Sequence, residues 1–568
     1  MSAPPRPGPG AAIGRPAVLH ADGPPPDAAA PDDAPRTRKT AAADPPPPGG
    51  PDRTPDLSPV LRAVERPRSG LAIAAAIGAV AALGQAPVSW PWLALPAFAL
   101  GIGLFTMPIG PVRAAWRGWA MGAGHFAVAL FWIVEPFFVD PWRHGWMAPF
   151  ALLGMAGGLA LFWAAALGLA AVLGRGSAVA RVLWAVAALA AAEMARSVLF
   201  TGFPWALVGH VWIGWPQMQL AALGGADALT LVTLLAAALP ALFGARRLML
   251  GLIGMAALAS LPGAYGSFRV PDAPIAPATP EVTVRLVQPN AAQHLKWRPD
   301  MIPVFWERKL ALTATGEGAR APDLVLWPET SVPALLSGAG PAFAEMAQAA
   351  GGAWIAAGIQ RRDDAGRWRN ALVVLDPAGE VAALYDKHHL VPFGEYMPAG
   401  ALFDRLGIFG LAANLTGSYA PGPGPRLVTA GPAGAALPLI CYEAIFARDI
   451  RAAPARPGWL MQVTNDAWFG EIAGPYQHLA QARLRAVEFG LPVLRAANTG
   501  VSAAIDPVGR ITGQIDLGTS GALDVALPAA LPETVYARLG SLPALALLAA
   551  VAAAAAVASL RAPAETRS

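Results

Sequence analysis

From Leu71 onward the chain carries one apolar stretch after another, each long enough to cross about 30 Å of hydrocarbon, which takes roughly 20 residues. Such stretches lie near 71–88, 91–109, 119–139, 147–173, 179–200, 218–243, 247–265 and 538–560. In lipid a backbone must satisfy its own hydrogen bonds, so these segments read as eight α-helical spans. The first two are separated only by Pro87-Val-Ser-Trp-Pro91 and read as a helical hairpin. Bulk composition agrees: 55% of residues are hydrophobic and 14% charged, with a mean hydropathy of +0.45, too apolar for an ordinary soluble protein. A formal net charge of +4 over 568 residues, with no basic stripe interleaved with aromatics, argues against a nucleic-acid partner.

Arginine sets the expected orientation. Arg62, Arg66 and Arg68 precede the first span, Arg113 and Arg117 follow the second, Arg175 and Arg181 the fourth, Arg246 and Arg247 the sixth, and Arg561 and Arg567 the last. Alternate connections are thus basic, with Arg143 the main exception, and both termini are expected in the cytoplasm. The organisation expected is a Pro/Ala-rich disordered tail over 1–65, seven membrane helices over 66–267, an extracytoplasmic domain over 268–535, and a last helix with a short tail over 536–568. The tail has no apolar signal-peptide core, so the first span is read as an uncleaved anchor. Within the fifth span Glu193 and Arg196 stand i, i+3, the spacing of an ion pair on one helix face; they are either a packing device or a functional pair.

Between Glu281 and about Pro528 the pattern changes to short β-branched runs alternating with helical segments, an α/β domain of about 250 residues. Strands are expected at 282–288, 324–327, 353–359, 371–375, 381–385, 435–440, 460–463 and 492–496, and helices at 301–315, 342–350 and 476–489. Asp376-Pro-Ala-Gly379 turns one strand into a hairpin. Glu329 lies just past one strand, Lys387 just past another, and the chain's one cysteine, Cys441, at a strand-to-helix turn. Strand ends on one edge of a sheet are where such folds build sites. A lone Cys forms no internal disulfide and is either an inert buried thiol or a nucleophile. As a nucleophile it needs a base, which Glu329 supplies, and a cation for thiolate and oxyanion, which Lys387 supplies. His388 and His389 beside Lys387 are alternatives. There is no Cys cluster, spaced His pair or Gly-rich phosphate loop, and neither metal nor cofactor is expected.

The segments Trp327-Pro-Glu329, Asp386-Lys387-x-x-Leu390-Val-Pro-Phe-Gly-Glu395 and Cys441-Tyr-Glu443 resemble the Glu-Lys-Cys signature of the nitrilase (carbon–nitrogen hydrolase) superfamily. With Gln288-Pro-Asn…Lys296-Trp297, Thr464-Asn-Asp-Ala-Trp-Phe-Gly470 and Phe200-Thr-Gly-Phe-Pro-Trp205, the chain more narrowly resembles the apolipoprotein N-acyltransferase family over nearly all of 70–560. The resemblance implies an αββα nitrilase-like domain, periplasmic, on an eight-helix domain of the bacterial inner membrane. It implies Glu329 as general base, Lys387 as oxyanion cation, Cys441 as nucleophile, Glu395, Tyr442 and Glu443 in support, and Trp297 near the substrate. It also implies a phospholipid donor, phosphatidylethanolamine in that family, and a diacylated apolipoprotein whose N-terminal α-amine accepts the acyl group from a Cys thioester. A monomer is expected. Aromatics around Trp142, Phe203, Trp205 and Trp468 are either pocket wall or ordinary belt and core packing. Competing readings are a membrane-tethered amidase acting on a small amide, and a non-catalytic scaffold or transporter.

Overall fold

The computed structural model describes residues 66–315, 320–398 and 418–561. The expected tail over 1–65 lies outside them.

The membrane part comprises α1 (Pro67–Ala82), α2 (Pro91–Gly103), α3 (Pro111–Ala129), α4 (Ala148–Leu173), α5 (Ala178–Arg196), α6 (Ala221–Phe243) and α7 (Leu248–Arg269), with α11 (Leu542–Leu560) returning from the far end of the chain. Proline opens α1, α2 and α3, where its missing N–H removes no helical bond. Ser177 caps α5 by accepting from the Ala180 N–H at 2.9 Å. Close backbone contact between α1 and α3 depends on Gly124, because a Cβ there would run into the Ala75 carbonyl.

The expectation of eight spans is met only in part. Among the described residues, five helical segments are long and apolar enough to cross a membrane: Pro141–Leu173, Ala178–Arg196, Pro216–Phe243, Ala245–Arg269 and Leu542–Leu560. A sixth is α3 together with a 3-10 turn at Phe131–Phe138, bent by 48°. α1 and α2 are apolar but shorter, with 16 and 13 residues. The expected third span thus starts earlier, at Pro111, and breaks at Leu130 into the aromatic 3-10 turn.

The α/β part contains two six-stranded sheets. One has β1 (Thr283–Gln288), β2 (Leu324–Leu326), β3 (Trp354–Arg362), β4 (Trp368–Leu375), β5 (Val381–Asp386) and, on the far side of β1, β12 (Gly521–Ala526). The other runs β11 (Ile511–Ile515), β10 (Ser502–Ile505), β9 (Val493–Ala497), β8 (Trp459–Thr464), β7 (Ala435–Ile440), β6 (Val428–Thr429). Their inner faces meet: Leu286, Leu326, Ala356 and Leu372 share one core with Ile440, Met461, Val463 and Leu494. Outside the first sheet, Phe343 and Met346 of α9 (Gly340–Ala350) pack with Trp306 and Leu310 of α8 (Ile302–Ala314). Outside the second, Leu479, Ala482 and Ala486 of α10 (Gly474–Phe489) cover Leu437, Leu439 and Leu460. The order is helix, sheet, sheet, helix. Left-handed Gly351 and Gly490 end α9 and α10.

The strands expected up to residue 496 are all present. β6, β10, β11 and β12 were not read from the sequence. β10 and β12 are weak in strand formers, with Ser502-Ala-Ala and Gly521-Ala, and β12 forms by pairing antiparallel with β1, more than 230 residues away along the chain. The two parts share a core: Tyr442, Ile445, Phe446, Leu484 and Val487 of the α/β part are buried with Trp132, Trp205 and Val211 of the membrane part.

Candidate active site

Each expected catalytic residue follows a strand, but the strands belong to two sheets rather than one. Glu329 follows β2 and Lys387 follows β5 of the first sheet, and Cys441 follows β7 of the second. Because the sheets face each other, these strand ends come together, and the Cys441 thiol feels the charges of both Glu329 and Lys387. Glu329 can lie against the sheet because β3 carries Gly358 beside it. A Cβ there would collide with the backbone of Pro328, Glu329 and Thr330, and Gly358 instead accepts from the Ser331 N–H at 2.8 Å.

Lys387 is 1% exposed, its ammonium held between two carboxylates: Glu329 Oε1 at 3.3 Å and Glu395 Oε1 at 3.0 Å. Burial alone lowers a lysine pKa, but Glu395 and Glu329 outweigh it and hold this one well above the usual range. Both carboxylates are fixed in turn. Asn370 Nδ2 donates to Glu329 Oε1 at 2.7 Å and to Glu395 Oε1 at 3.0 Å, the Asn465 N–H to Glu329 Oε2 at 2.9 Å, and the Val391 N–H to Glu395 Oε2 at 2.9 Å. An ammonium has three donors, so two pointed at carboxylates leave one for another acceptor.

Cys441 is buried and held at φ 52°, a left-handed conformation that costs a residue with a Cβ about 1–2 kcal/mol. Thr330, next to Glu329, also has a positive φ, 46°. Strained residues of this kind gather where surrounding contacts hold a site in shape. Burial pushes the Cys441 thiol well above its ordinary range; the Glu329 charge adds to this, while Lys387 and the Thr464 hydroxyl oppose it. The resting group is therefore a thiol, which as a nucleophile would need a base.

Glu443 is fully buried and ties the Cys441 turn to the lysine loop. Its Oε2 accepts from the Ile440 N–H at 2.7 Å, and its Oε1 from the His388 N–H at 2.8 Å and the Tyr385 hydroxyl at 2.9 Å. The alternative bases point elsewhere. His388 Nδ1 lies 2.6 Å from Glu443, and despite its burial that carboxylate and Asp449 raise its pKa to about 9. His389 Nδ1 meets Asp449 at 2.8 Å and its ring stacks on Phe446. Tyr442 faces the membrane part, its hydroxyl 3.5 Å from the Gly202 carbonyl. Trp297 is 39% exposed at a pocket shared with Lys296, Phe305, Lys309 and Asn498. The floor of that pocket carries two buried ammonium groups that sequence reasoning missed. Lys296 donates to the Glu329 carbonyl at 3.3 Å and Lys309 to the Ser331 carbonyl. Burial lowers them to about 8 and about 7.

Of the aromatics weighed as wall, Trp205 is buried in the core and Trp142 is 97% exposed, while Phe203 and Trp468 are half-buried. Glu193 and Arg196 form a buried 2.8 Å ion pair, and Arg196 also donates to the Phe203 and Trp205 carbonyls at 2.7 and 2.8 Å. Glu193 accepts from Trp163 Nε1 at 2.9 Å and the Val208 N–H at 3.2 Å. The pair thus pins the loop after α5, the packing role of the two considered. Asn370 and Asn465 were also missed. Asn465 stood in a quoted motif, but nothing local marks Asn370, which reaches both carboxylates only through the β3–β4–β5 pairing.

The sequence matches the carbon–nitrogen hydrolase family over residues 284–535 and the apolipoprotein N-acyltransferase N-terminal domain over 77–239. An apolipoprotein N-acyltransferase of Caulobacter vibrioides is 39% identical over 515 residues, covering 85% of this chain and 94% of that one. One from Rhodopseudomonas palustris is 36% identical over 507 residues, covering 84% and 92%. Among solved structures, a carbon–nitrogen hydrolase superfamily protein of Xanthomonas campestris is 22% identical with a TM-score of 0.30, over 44% of this chain and 91% of that one. With two domain matches of the right order and relatives similar over nearly their whole length, the chain belongs to the apolipoprotein N-acyltransferase family.

Proposed function

We propose that this chain transfers an acyl group from a membrane phospholipid, phosphatidylethanolamine being the expected donor, to the free α-amine of a diacylglyceryl-cysteine at an apolipoprotein N-terminus. Glu329 takes the thiol proton as Cys441 Sγ attacks the ester carbonyl carbon. The free N–H of Lys387 stabilises the oxyanion, and collapse expels the lysophospholipid alkoxide, which recovers the proton from Glu329. The acceptor amine then attacks the thioester, gives a proton to Glu329, and the departing thiolate is reprotonated. Glu395 holds Lys387, Glu443 holds the Cys441 turn, Tyr442 supports it from the membrane side, and Trp297 borders the substrate.

The observation that carries this reading is the burial of Tyr442, Ile445 and Phe446, on the turn just after Cys441, in one core with the membrane helices. A thiol on such a turn meets a lipid ester without the lipid leaving the bilayer, where each acyl CH₂ moved into water costs about 0.8 kcal/mol. A soluble amide needs no such arrangement. The test is the mass of a lipoprotein N-terminus from cells with and without this protein. A third acyl group that depends on the protein is expected, and its presence in both cells would refute the reading.

The wider arrangement proposed is eight spans, counting α1, α2 and the bent α3 segment, in the bacterial inner membrane. The α/β domain over 268–535 faces the periplasm, both ends of the chain are cytoplasmic, and the protein acts as a monomer. Arg561 after α11, with Arg246 and Arg247 before α7, supports that orientation. A reporter fused after Arg561 is expected on the cytoplasmic side and one inserted near Pro274 on the periplasmic side. The same side for both would mean an even number of crossings between them.

A further inference from the structure

α10 carries two adjacent side chains in its first turn whose contacts run in opposite directions. Gln477 is 6% exposed and uses the whole bonding capacity of its carboxamide on the membrane part. Its Oε1 accepts from Trp132 Nε1 at 3.1 Å and Trp205 Nε1 at 2.6 Å, and its Nε2 donates to the carbonyls of Ala86 and Ala129, both at 3.0 Å. These partners come from separate segments: the connection after α1, the end of α3 with its 3-10 turn, and the loop pinned by Glu193 and Arg196. The next residue is turned by about 100° around the helix, so His478 points inward. His478 is fully buried, with Nε2 3.1 Å from the Cys441 carbonyl and Nδ1 2.9 Å from Asp466 Oδ1, and Asp466 is itself paired with Arg495. Phe469 closes the cluster, its ring 4.9 Å from Trp132, 5.9 Å from Trp205 and 5.6 Å from His478.

We propose that Gln477 is a positioning residue that links the seating of the α/β domain on the membrane helices, through His478, to the alignment of the Cys441 nucleophile. This rests on the reading of Cys441 as the nucleophile. Cys441 sits in a left-handed conformation that the chain does not favour by itself, so its orientation depends on what holds its backbone. One of those holds, His478, is one residue from a side chain fixed by four membrane-domain groups. A shift of the first turn of α10 therefore moves both together. The membrane helices thus act on the nucleophile as well as on the lipid.

The test uses the full-length enzyme in detergent with phospholipid and a diacylated lipopeptide. Gln477→Met keeps the length of the side chain and removes its hydrogen bonds. Trp132→Phe/Trp205→Phe removes the two indole donors from the other side. Two rates are read: alkylation of Cys441 by iodoacetamide, which needs no lipid, and acyl transfer. Misplacement of a reacting group by about 1 Å costs on the order of 10²-fold, and losses of about 10- to 10²-fold are expected for Gln477→Met in both alkylation and kcat, with KM little changed. The tryptophan variant is expected to lower both rates less, and to add little when combined with Gln477→Met. Folded Gln477→Met that alkylates at the wild-type rate, or loses only KM, would overturn the proposal. Should that variant fail to fold, wild-type alkylation and kcat in the tryptophan variant would overturn it equally. Wild-type enzyme that forms no acyl-Cys441 from phospholipid would instead defeat the reading of Cys441 as the acyl carrier.

Discussion

Cys441→Ser is expected to abolish acyl transfer and to leave the protein folded. The side chains differ by one atom, and a serine fits the buried, left-handed turn as well as the cysteine does. The chemistry does not carry over. Burial and the Glu329 charge already push the thiol above its ordinary range, so in the proposed mechanism attack relies on Glu329 taking the proton in the same step. An alcohol is several units less acidic than a thiol, beyond what one carboxylate and one ammonium can offset. Phospholipid alone should acylate the wild type, releasing about one equivalent of lysophospholipid, because a dehydrated site makes water a poor acceptor. The variant should show no adduct by mass and no third acyl group on a lipoprotein. Near-normal transfer by Cys441→Ser would remove Cys441 from the mechanism.

The second large effect is expected at Lys387, where stability and rate fall together. Among the described residues, Lys387→Met leaves the Glu329 and Glu395 carboxylates buried at one point, bridged by Asn370. Removing one partner from a buried ion cluster typically costs about 3–5 kcal/mol, so a marked drop in Tm is expected. Lys387→Met combined with Glu395→Gln removes one negative charge with the positive one and should recover much of that stability. It should not recover activity. Loss of an oxyanion donor costs roughly 10²- to 10³-fold, and both half reactions pass through an oxyanion. Acylation of Cys441 and discharge to the lipopeptide should therefore both be slow in the folded double variant. Wild-type initial rates at varied concentrations of both lipids should give parallel double-reciprocal lines. A folded double variant with near-normal rates would show that Lys387 holds the site together without acting on the oxyanion.

Two kinds of signal made most of this architecture legible. Apolar stretches of the length of a bilayer set the helices, because a backbone in lipid has no other partner than itself. Alternation and turn residues set the strands up to 496 except the two-residue β6, along with the short segments carrying Glu329, Lys387 and Cys441, whereas Glu395 came only from the family resemblance. Local chemistry is enough there, since a strand's end and the turn after it are written in neighbouring residues. It failed for β12, whose Gly521-Ala-Leu-Asp-Val-Ala becomes a strand because β1 offers it an edge. It failed also for the third span, which breaks at Leu130, and Trp132 beyond the break bonds Gln477.

What the sequence by itself determined was the inventory: membrane helices, an α/β domain, and a carboxylate, an amine and a thiol each set just beyond a strand. Only the tertiary structure decided how these act on one another. Two sheets face each other so that strand ends from both meet around Glu329, Lys387 and Cys441. Asn370 bridges two carboxylates that are 66 residues apart, and the buried Lys296 and Lys309 donate to the backbone carbonyls of Glu329 and Ser331. Glu193 and Arg196 turn out to fix a loop. The physical reason is the same in each case. Desolvation, ion pairing and strain depend on what surrounds a group in space, and those surroundings come from segments whose own sequences carry no mark of the partners they will meet.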